Sequence, residues 1–138
     1  MNAISIAEIF ARRANGREIL LVEDNPDDAF FAARSLSKLN CRVTHAENAD
    51  KALDWIKKKT FEMALVDLKL PGMNGVELAH KLRDAGICVA ILSGSTFGTY
   101  INEAVAAGFV VLPKPFCLKD VSEIAFGFGV NDRRLAVA

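Results

Sequence analysis

Short apolar runs alternate with helix-period segments along most of this chain, and that alternation constrains the fold more than any other feature. The runs of strand length are Glu18–Glu23, Arg42–Ala46, Glu62–Asp67, Ile87–Leu92 and Phe109–Leu112. Between and after them lie helix-period segments at Pro26–Leu39, Ala49–Lys58, Gly75–Asp84, Thr99–Ala107 and Leu118–Ala125. Strict βα alternation calls for a parallel sheet whose right-handed crossovers place helices on both faces. The expected fold is α/β: a doubly wound, flavodoxin-like, five-stranded parallel sheet with five helices, and of the common strand orders 2-1-3-4-5 fits five strands. Asn25 before Pro26 suits a helix N-cap and first helical position. Gly72, Gly86 and Gly108 stand where the chain must change direction.

The 138 residues leave room for one domain, expected over residues 17–126. Residues 1–16 carry Ile6, Ile9, Phe10 and Arg13 at helical spacing, a short amphipathic N-terminal helix, and residues 127–138 form a tail. The N-terminal helix is expected to pack on the domain, with a homodimer or partner contact as the alternative. Seventeen basic residues balance seventeen acidic ones. With no excess positive charge, direct binding to nucleic acid or an anionic membrane is not expected. No apolar stretch approaches the roughly 20 residues of a membrane span, and the N-terminus lacks the basic region of a signal peptide. Cys41, Cys88 and Cys117 are an odd set without CxxC spacing, which reads as free thiols in a reducing cytoplasm. Cys117 is expected as a small buried or capping residue and His45 and His80 as surface or structural ones. Trp55 and the helix phenylalanines read as core or boundary residues.

The chemistry gathers at strand ends. Ile19-Leu20-Leu21-Val22 runs into Glu23-Asp24, and Met63-Ala64-Leu65-Val66 into Asp67. In the expected order the first and third strands are neighbours, so three carboxylates meet at one crevice beyond the carboxyl ends of the sheet. At an effective dielectric of about 20, two like charges roughly 4 Å apart repel by about 4 kcal/mol, so such a cluster shares protons or holds a cation. An all-oxygen, shallow set suits Mg²⁺ that keeps several waters, with Asp24 and Asp67 as direct ligands and Glu23 acting through water. Ser93 and Lys114 close the fourth and fifth strands at the same edge. A metal, an ammonium and a hydroxyl around one carboxylate form a receptor for a transferring phosphoryl group, with Asp67 as nucleophile.

Val22-Glu23-Asp24-Asn25-Pro26, Val66-Asp67 with Leu70-Pro71-Gly72-Met73-Asn74-Gly75, Leu92-Ser93-Gly94 and Lys114-Pro115-Phe116 together resemble the chemotaxis-like receiver domain of two-component response regulators. The resemblance covers roughly residues 17–126. It implies that Asp67 accepts phosphate from a phosphohistidine of a sensor histidine kinase or histidine phosphotransfer protein. Glu23 and Asp24 would bind Mg²⁺ with Asp67 and the Lys69 backbone carbonyl. Lys114 would pair with phosphoryl oxygens, and Ser93 would move to hydrogen-bond one and so report the modification. It also implies a cis Lys114-Pro115 bond that aims the lysine inward. Lys69 and Ser95 would flank the path of attacking water, with slow self-dephosphorylation expected.

The sequence departs from the family at its relay. Where receivers commonly carry Tyr or Phe, three residues before the lysine, this chain has Val111, which has no polar-tipped ring to swing. The stretch from Gly108 to Lys114 is one residue shorter than the resemblance leads one to expect, and Pro113 lacks a backbone donor. No output domain is expected in the dozen residues after the last helix, too few for a helix-turn-helix. The leading expectation is a stand-alone phosphoacceptor signalling domain, not an enzyme with an external substrate, acting on an unknown downstream protein. Its candidate contact surface lies near Phe97, Tyr100, Phe109 and Phe116. The alternative is a receiver-shaped interaction or oligomerisation module that no longer switches. A flavodoxin-like small-molecule enzyme is disfavoured, because no GxGxxG or GxxxxGK[ST] occurs.

Overall fold

The computed structural model describes residues 16–95 and 98–114. In chain order the elements are β1 (Glu18–Val22), α1 (Pro26–Ser37), β2 (Arg42–Ala46), α2 (Ala49–Lys58), β3 (Met63–Asp67), α3 (Gly75–Asp84), β4 (Cys88–Ser93), α4 (Thr99–Ala106) and β5 (Val110–Pro113). The five strands form one parallel sheet of order β2-β1-β3-β4-β5. The expected fifth helix, Leu118–Ala125, lies outside the described residues. So do the N-terminal extension up to residue 15, the Lys114-Pro115 bond, Cys117, Phe97, Phe116 and the tail.

The alternation of side chains along the strands divides the core into two layers. Leu20, Val22, Ala64, Val66, Val89 and Ile91 point to the face covered by α2, α3 and α4, where they meet Ala52, Leu78, Leu82 and Ala104. Ile19, Leu21, Met63, Leu65, Ala90, Leu92 and Leu112 point to the other face, where α1 supplies Ala29, Ala32 and Leu36. Every residue of the central strand β3 is buried, as a parallel strand covered on both sides requires. The same parity carries Glu23, Asp67 and Lys114 onto the α1 face, in line with Leu21, Leu65 and Leu112. The candidate site side chains therefore continue a core stripe past the point where the strands end.

Caps set the element boundaries. Asn25, Asn48 and Asn74 each accept backbone N–H groups at the start of a helix. At the other end, Cys41, Ile87 and Phe109 donate to Leu36, Leu82 and Ala104 carbonyls across a left-handed residue, Asn40, Gly86 or Gly108. These closures draw Ile87 and Phe109 into the helix ends, so β4 and β5 begin and end one residue later than the apolar pattern predicts. Arg83 stacks on the buried Phe109 ring at 4.1 Å, with His80 edge-on at 5.0 Å. Phe109 is thus a core residue and not part of a contact surface, whereas Tyr100 is about half exposed, at 49%.

Phe30 and Phe31 correct the expectation that the helix phenylalanines are core or boundary residues: they are 67% and 52% exposed. The buried stripe of α1 runs through Ala29, Ala32 and Leu36, and both rings project outside it. Trp55, at 36% exposed, is a boundary residue as expected. Among the described residues no helix is long and apolar enough to cross a membrane. Cys41 is buried, and burial pushes its thiol up to about 11.

Gly75 opens α3 directly against the loop after β3. Its amide donates to the Leu68 carbonyl at 2.9 Å, and a Cβ there would lie 2.3 Å from the Asp67 carbonyl oxygen and 2.8 Å from the Leu68 Cα. Both neighbours are backbone and have no rotamer to relax into. Gly75→Ala is therefore expected to destabilise the domain by about 2–3 kcal/mol, measured as a drop in the urea midpoint with an unchanged slope. A loss below about 0.5 kcal/mol would show that the approach is looser than described.

Candidate phosphoacceptor site

Asp67 ends the most buried strand and is itself 6% exposed. The chain leaves β3 without breaking contact with the sheet, because the Leu68 amide donates to the Leu92 carbonyl at 2.8 Å. The Asp67 carboxylate is held at both oxygens. Oδ1 accepts a long hydrogen bond from the Lys69 amide at 3.3 Å, and Oδ2 lies 3.2 Å from Lys114 Nζ.

Lys114 reaches this position because β5 pairs with β4 up to the end, its amide donating to the Ser93 carbonyl at 2.8 Å. Residues of one parity on β5 bond to β4 and the other parity faces the open edge, so the missing donor of Pro113 costs no ladder bond. The Lys114 ammonium also pairs with Glu23 Oε2 at 2.8 Å and Asp28 Oδ2 at 3.4 Å. Glu23 is 1% exposed. Its Oε1 accepts from the Asn25 amide at 3.1 Å, and its backbone carbonyl accepts from His45 Nε2 at 2.7 Å. His45 thus has the structural role expected of it, tying β2 to the loop after β1.

Burial is the main influence on the Glu23 carboxyl and raises it above the usual range. The Lys114 ammonium and the Asn25 amide work against that rise, and neighbouring Asp67 adds to it. For Lys114, burial works to lower the ammonium, but hydrogen bonds and charge from Glu23 and Asp67 outweigh it and leave the group above the ordinary lysine value. Glu23, Asp24 and Asp67 bring carboxylate oxygens within 4.8 Å of one another. Asp24 is the exposed member and Glu23 and Asp67 the buried ones. Hard oxygen donors on a partly open edge fit a divalent cation such as Mg²⁺.

Beside Asp67 opens a cavity of about 350 Å³ lined by Asp28, Asp67, Lys69, Ser93, Ser95 and Lys114 among others. Ser93 is buried. Its hydroxyl donates to the Ser95 carbonyl at 2.8 Å and accepts from the Ser95 amide at 3.1 Å. The sequence-predicted residues Glu23, Asp24, Asp67, Ser93, Lys69 and Lys114 all meet at one sheet edge. Asp28 was missed. In sequence it reads as an acidic residue in the first turn of a helix, complementing the dipole. Its contact with Lys114 spans 86 residues and carries no local signal.

A buried carboxylate flanked by an ammonium, a hydroxyl and an acidic pair stands at the carboxyl edge of a doubly wound sheet, where open α/β folds place their binding sites. The family model described as the response regulator receiver domain matches residues 19–125, and the chain belongs to that family. It is 31% identical over 112 residues to the response regulator receiver protein CpdR of Brucella abortus, covering 78% of this chain and 93% of that protein. It is 32% identical over 111 residues to a response regulator receiver protein of Anaeromyxobacter, again over 78% of this chain but only 47% of the relative. The chain therefore spans about half the length of that relative. A response regulator of Burkholderia pseudomallei, solved with a phosphorylated aspartic acid, a calcium ion and citrate, is 26% identical with a TM-score of 0.72, covering 87% of this chain and 71% of that one. Receiver domains are phosphoacceptor signalling domains of two-component systems, phosphorylated on aspartate, and not enzymes in the ordinary sense.

The ion-pair geometry predicts the effect of removing Lys114. Lys114→Met leaves Glu23 and Asp67 buried without their common cation and is expected to cost about 2–3 kcal/mol at pH 7 without divalent metal. That is below the 3–5 kcal/mol of a fully buried pair because the lysine is a fifth exposed. Glu23 already has a raised carboxyl, so it destabilises the fold once pH rises past the unfolded carboxylate value, and losing Lys114 deepens that penalty. The gap between variant and wild type should therefore narrow as pH falls and the raised Glu23 carboxyl protonates. Unfolding curves across pH 4–8 in chelator measure it, and a gap independent of pH would contradict the pairing.

Proposed function

We propose that this chain accepts a phosphoryl group on an Asp67 carboxylate oxygen from a phosphohistidine of a sensor histidine kinase or histidine phosphotransfer protein. It then signals in the cytoplasm through protein–protein contacts. The observation that carries the reading is the single ammonium of Lys114, which joins Glu23 and Asp67 across the sheet edge beside an accessible cavity. In the transfer a P–O bond forms to Asp67 as the P–N bond of the donor breaks, and the departing imidazole keeps the electron pair and takes up a proton. Asp67 is fixed for attack by the Lys69 amide, and the surrounding protein keeps its carboxylate largely out of bulk water.

Glu23, Asp24 and Asp67 would hold Mg²⁺ with the Lys69 backbone carbonyl. When bound, the metal supplies positive charge that offsets the phosphoryl oxygens. Lys114 exchanges its contact with a carboxylate for one with a phosphoryl oxygen. Ser93 exchanges its bonds with Ser95 for another, which shifts the loop after β4. Lys69 and Ser95, both lining the cavity, shield the acyl phosphate from water and prolong its life.

The readout differs from an aromatic swing. Val111 is half-buried and packs on the core layer beneath α2, α3 and α4, where its branched side chain has one strongly preferred rotamer. That packing is also what favours the second reading, a receiver fold that binds partners without switching.

Thermal unfolding with beryllofluoride, a phosphoryl mimic, separates the readings. With Mg²⁺ and a hundredfold excess over its dissociation constant, beryllofluoride is expected to stabilise the wild type by about 2.7 kcal/mol. Omitting Mg²⁺ or introducing Asp67→Asn is expected to abolish the effect. Equal stabilisation of wild type and Asp67→Asn would refute Asp67 as the acceptor.

A further inference from the structure

Asp28 is not a strand-end residue, and no step of the acceptor reaction described above uses it. The Asn25 carbonyl oxygen of the side chain accepts the Asp27 and Asp28 amides at 2.9 and 3.0 Å, so the first turn of α1 sets where the Asp28 carboxylate stands. That carboxylate lies 3.4 Å from Lys114 Nζ, and its side chain is 51% exposed. It borders the cavity that a donor must enter to reach Asp67. It stands apart from Glu23, Asp24 and Asp67, the acidic group whose oxygens are close enough for one cation.

A lysine ammonium has three N–H donors, and Lys114 faces three carboxylates: Glu23 at 2.8 Å, Asp67 at 3.2 Å and Asp28 at 3.4 Å. No donor is left for a phosphoryl oxygen until one partner is released. Asp28 is the farthest of the three and the most exposed, so water can rehydrate it at least cost. Glu23 is buried, and its release would leave a charge unpaired in the interior.

Resting on Asp67 as the acceptor, we infer that Asp28 is a donor-discriminating residue. Its carboxylate occupies Lys114 at the cavity mouth, competes with the incoming phosphoryl group for that ammonium, and opposes donors in proportion to their negative charge. Acetyl phosphate and phosphoramidate test this, because both place the same group on Asp67. With acetyl phosphate, a dianion at neutral pH, the new P–O bond to Asp67 forms as acetate leaves with its electron pair. With phosphoramidate, which carries a protonated nitrogen and one net negative charge, ammonia leaves instead. Neither transfer needs a further co-reactant.

Initial labelling rates at fixed Mg²⁺, followed by intact mass, provide the measurement. Asp28→Asn is expected to accelerate labelling by acetyl phosphate by about three- to tenfold, the size of one unit charge acting across a few ångströms of partly screened solvent. Phosphoramidate should gain clearly less, and added salt should shrink the difference. Asp28→Glu, which restores the charge, should return the discrimination to that of the wild type. A merely structural role would change both donors alike. Equal effects on the two donors, or slower labelling by acetyl phosphate in Asp28→Asn, would overturn the inference while leaving Asp67 as acceptor. Failure of both donors to label the wild type would overturn both.

Discussion

One ammonium surrounded by carboxylates organises this protein. Lys114 directly follows the edge strand β5, yet its partners lie on β3, after β1 and on α1. Without it, Glu23 and Asp67 would be buried at one edge with no countercharge among the described residues, a situation that the low dielectric of the interior penalises heavily. The sheet makes the meeting possible by geometry alone. Side chains of one parity run along β1, β3 and β5 as core residues and emerge beyond the strands as Glu23, Asp67 and Lys114. Stability and chemistry are thus joined in the same stripe of side chains.

This coupling explains why the loop after β3 is so tightly determined. Asp67 must be held at both carboxylate oxygens while the chain reverses into α3, and Gly75 lets the helix start against the loop backbone. The Leu68 amide remains bonded to β4 as it does so. A carboxylate fixed in this way would have little freedom to lose in the proposed transfer, whose bond-making atom must be placed in line with the leaving group.

Much of this was legible in the sequence, because the strong signals were local. The apolar runs of β1 and β3 and the acidic residues that end them are contiguous, and the strand order is one of the few common to such alternation and the one that the receiver resemblance implies. Where the reading slipped, the cause was a long-range or cap-level interaction. The starts of β4 and β5 moved by one residue because the helix-terminating bonds of Ile87 and Phe109 absorb residues that read as strand. Phe109 was expected at a contact surface but is buried beneath Arg83 and His80. Phe30 and Phe31 were expected in the core or at its boundary, yet a helix facing the sheet through Ala29, Ala32 and Leu36 leaves them outside. Asp28 could not be found from its neighbours in sequence, because its partner is Lys114. Pro113 looked like a defect in β5, but strand alternation turns its missing donor toward the open edge.

The proposed acceptor, Asp67, is one carboxylate among four that share a small region. Brief treatment with acetyl phosphate and Mg²⁺, followed by borohydride reduction and peptide mapping, distinguishes them, since reduction of an aspartyl phosphate leaves homoserine at the position that carried it. The predicted result is homoserine at Asp67 alone, dependent on Mg²⁺. Homoserine at Asp24 or Asp28, or at no aspartate while the untreated protein remains folded, would contradict it.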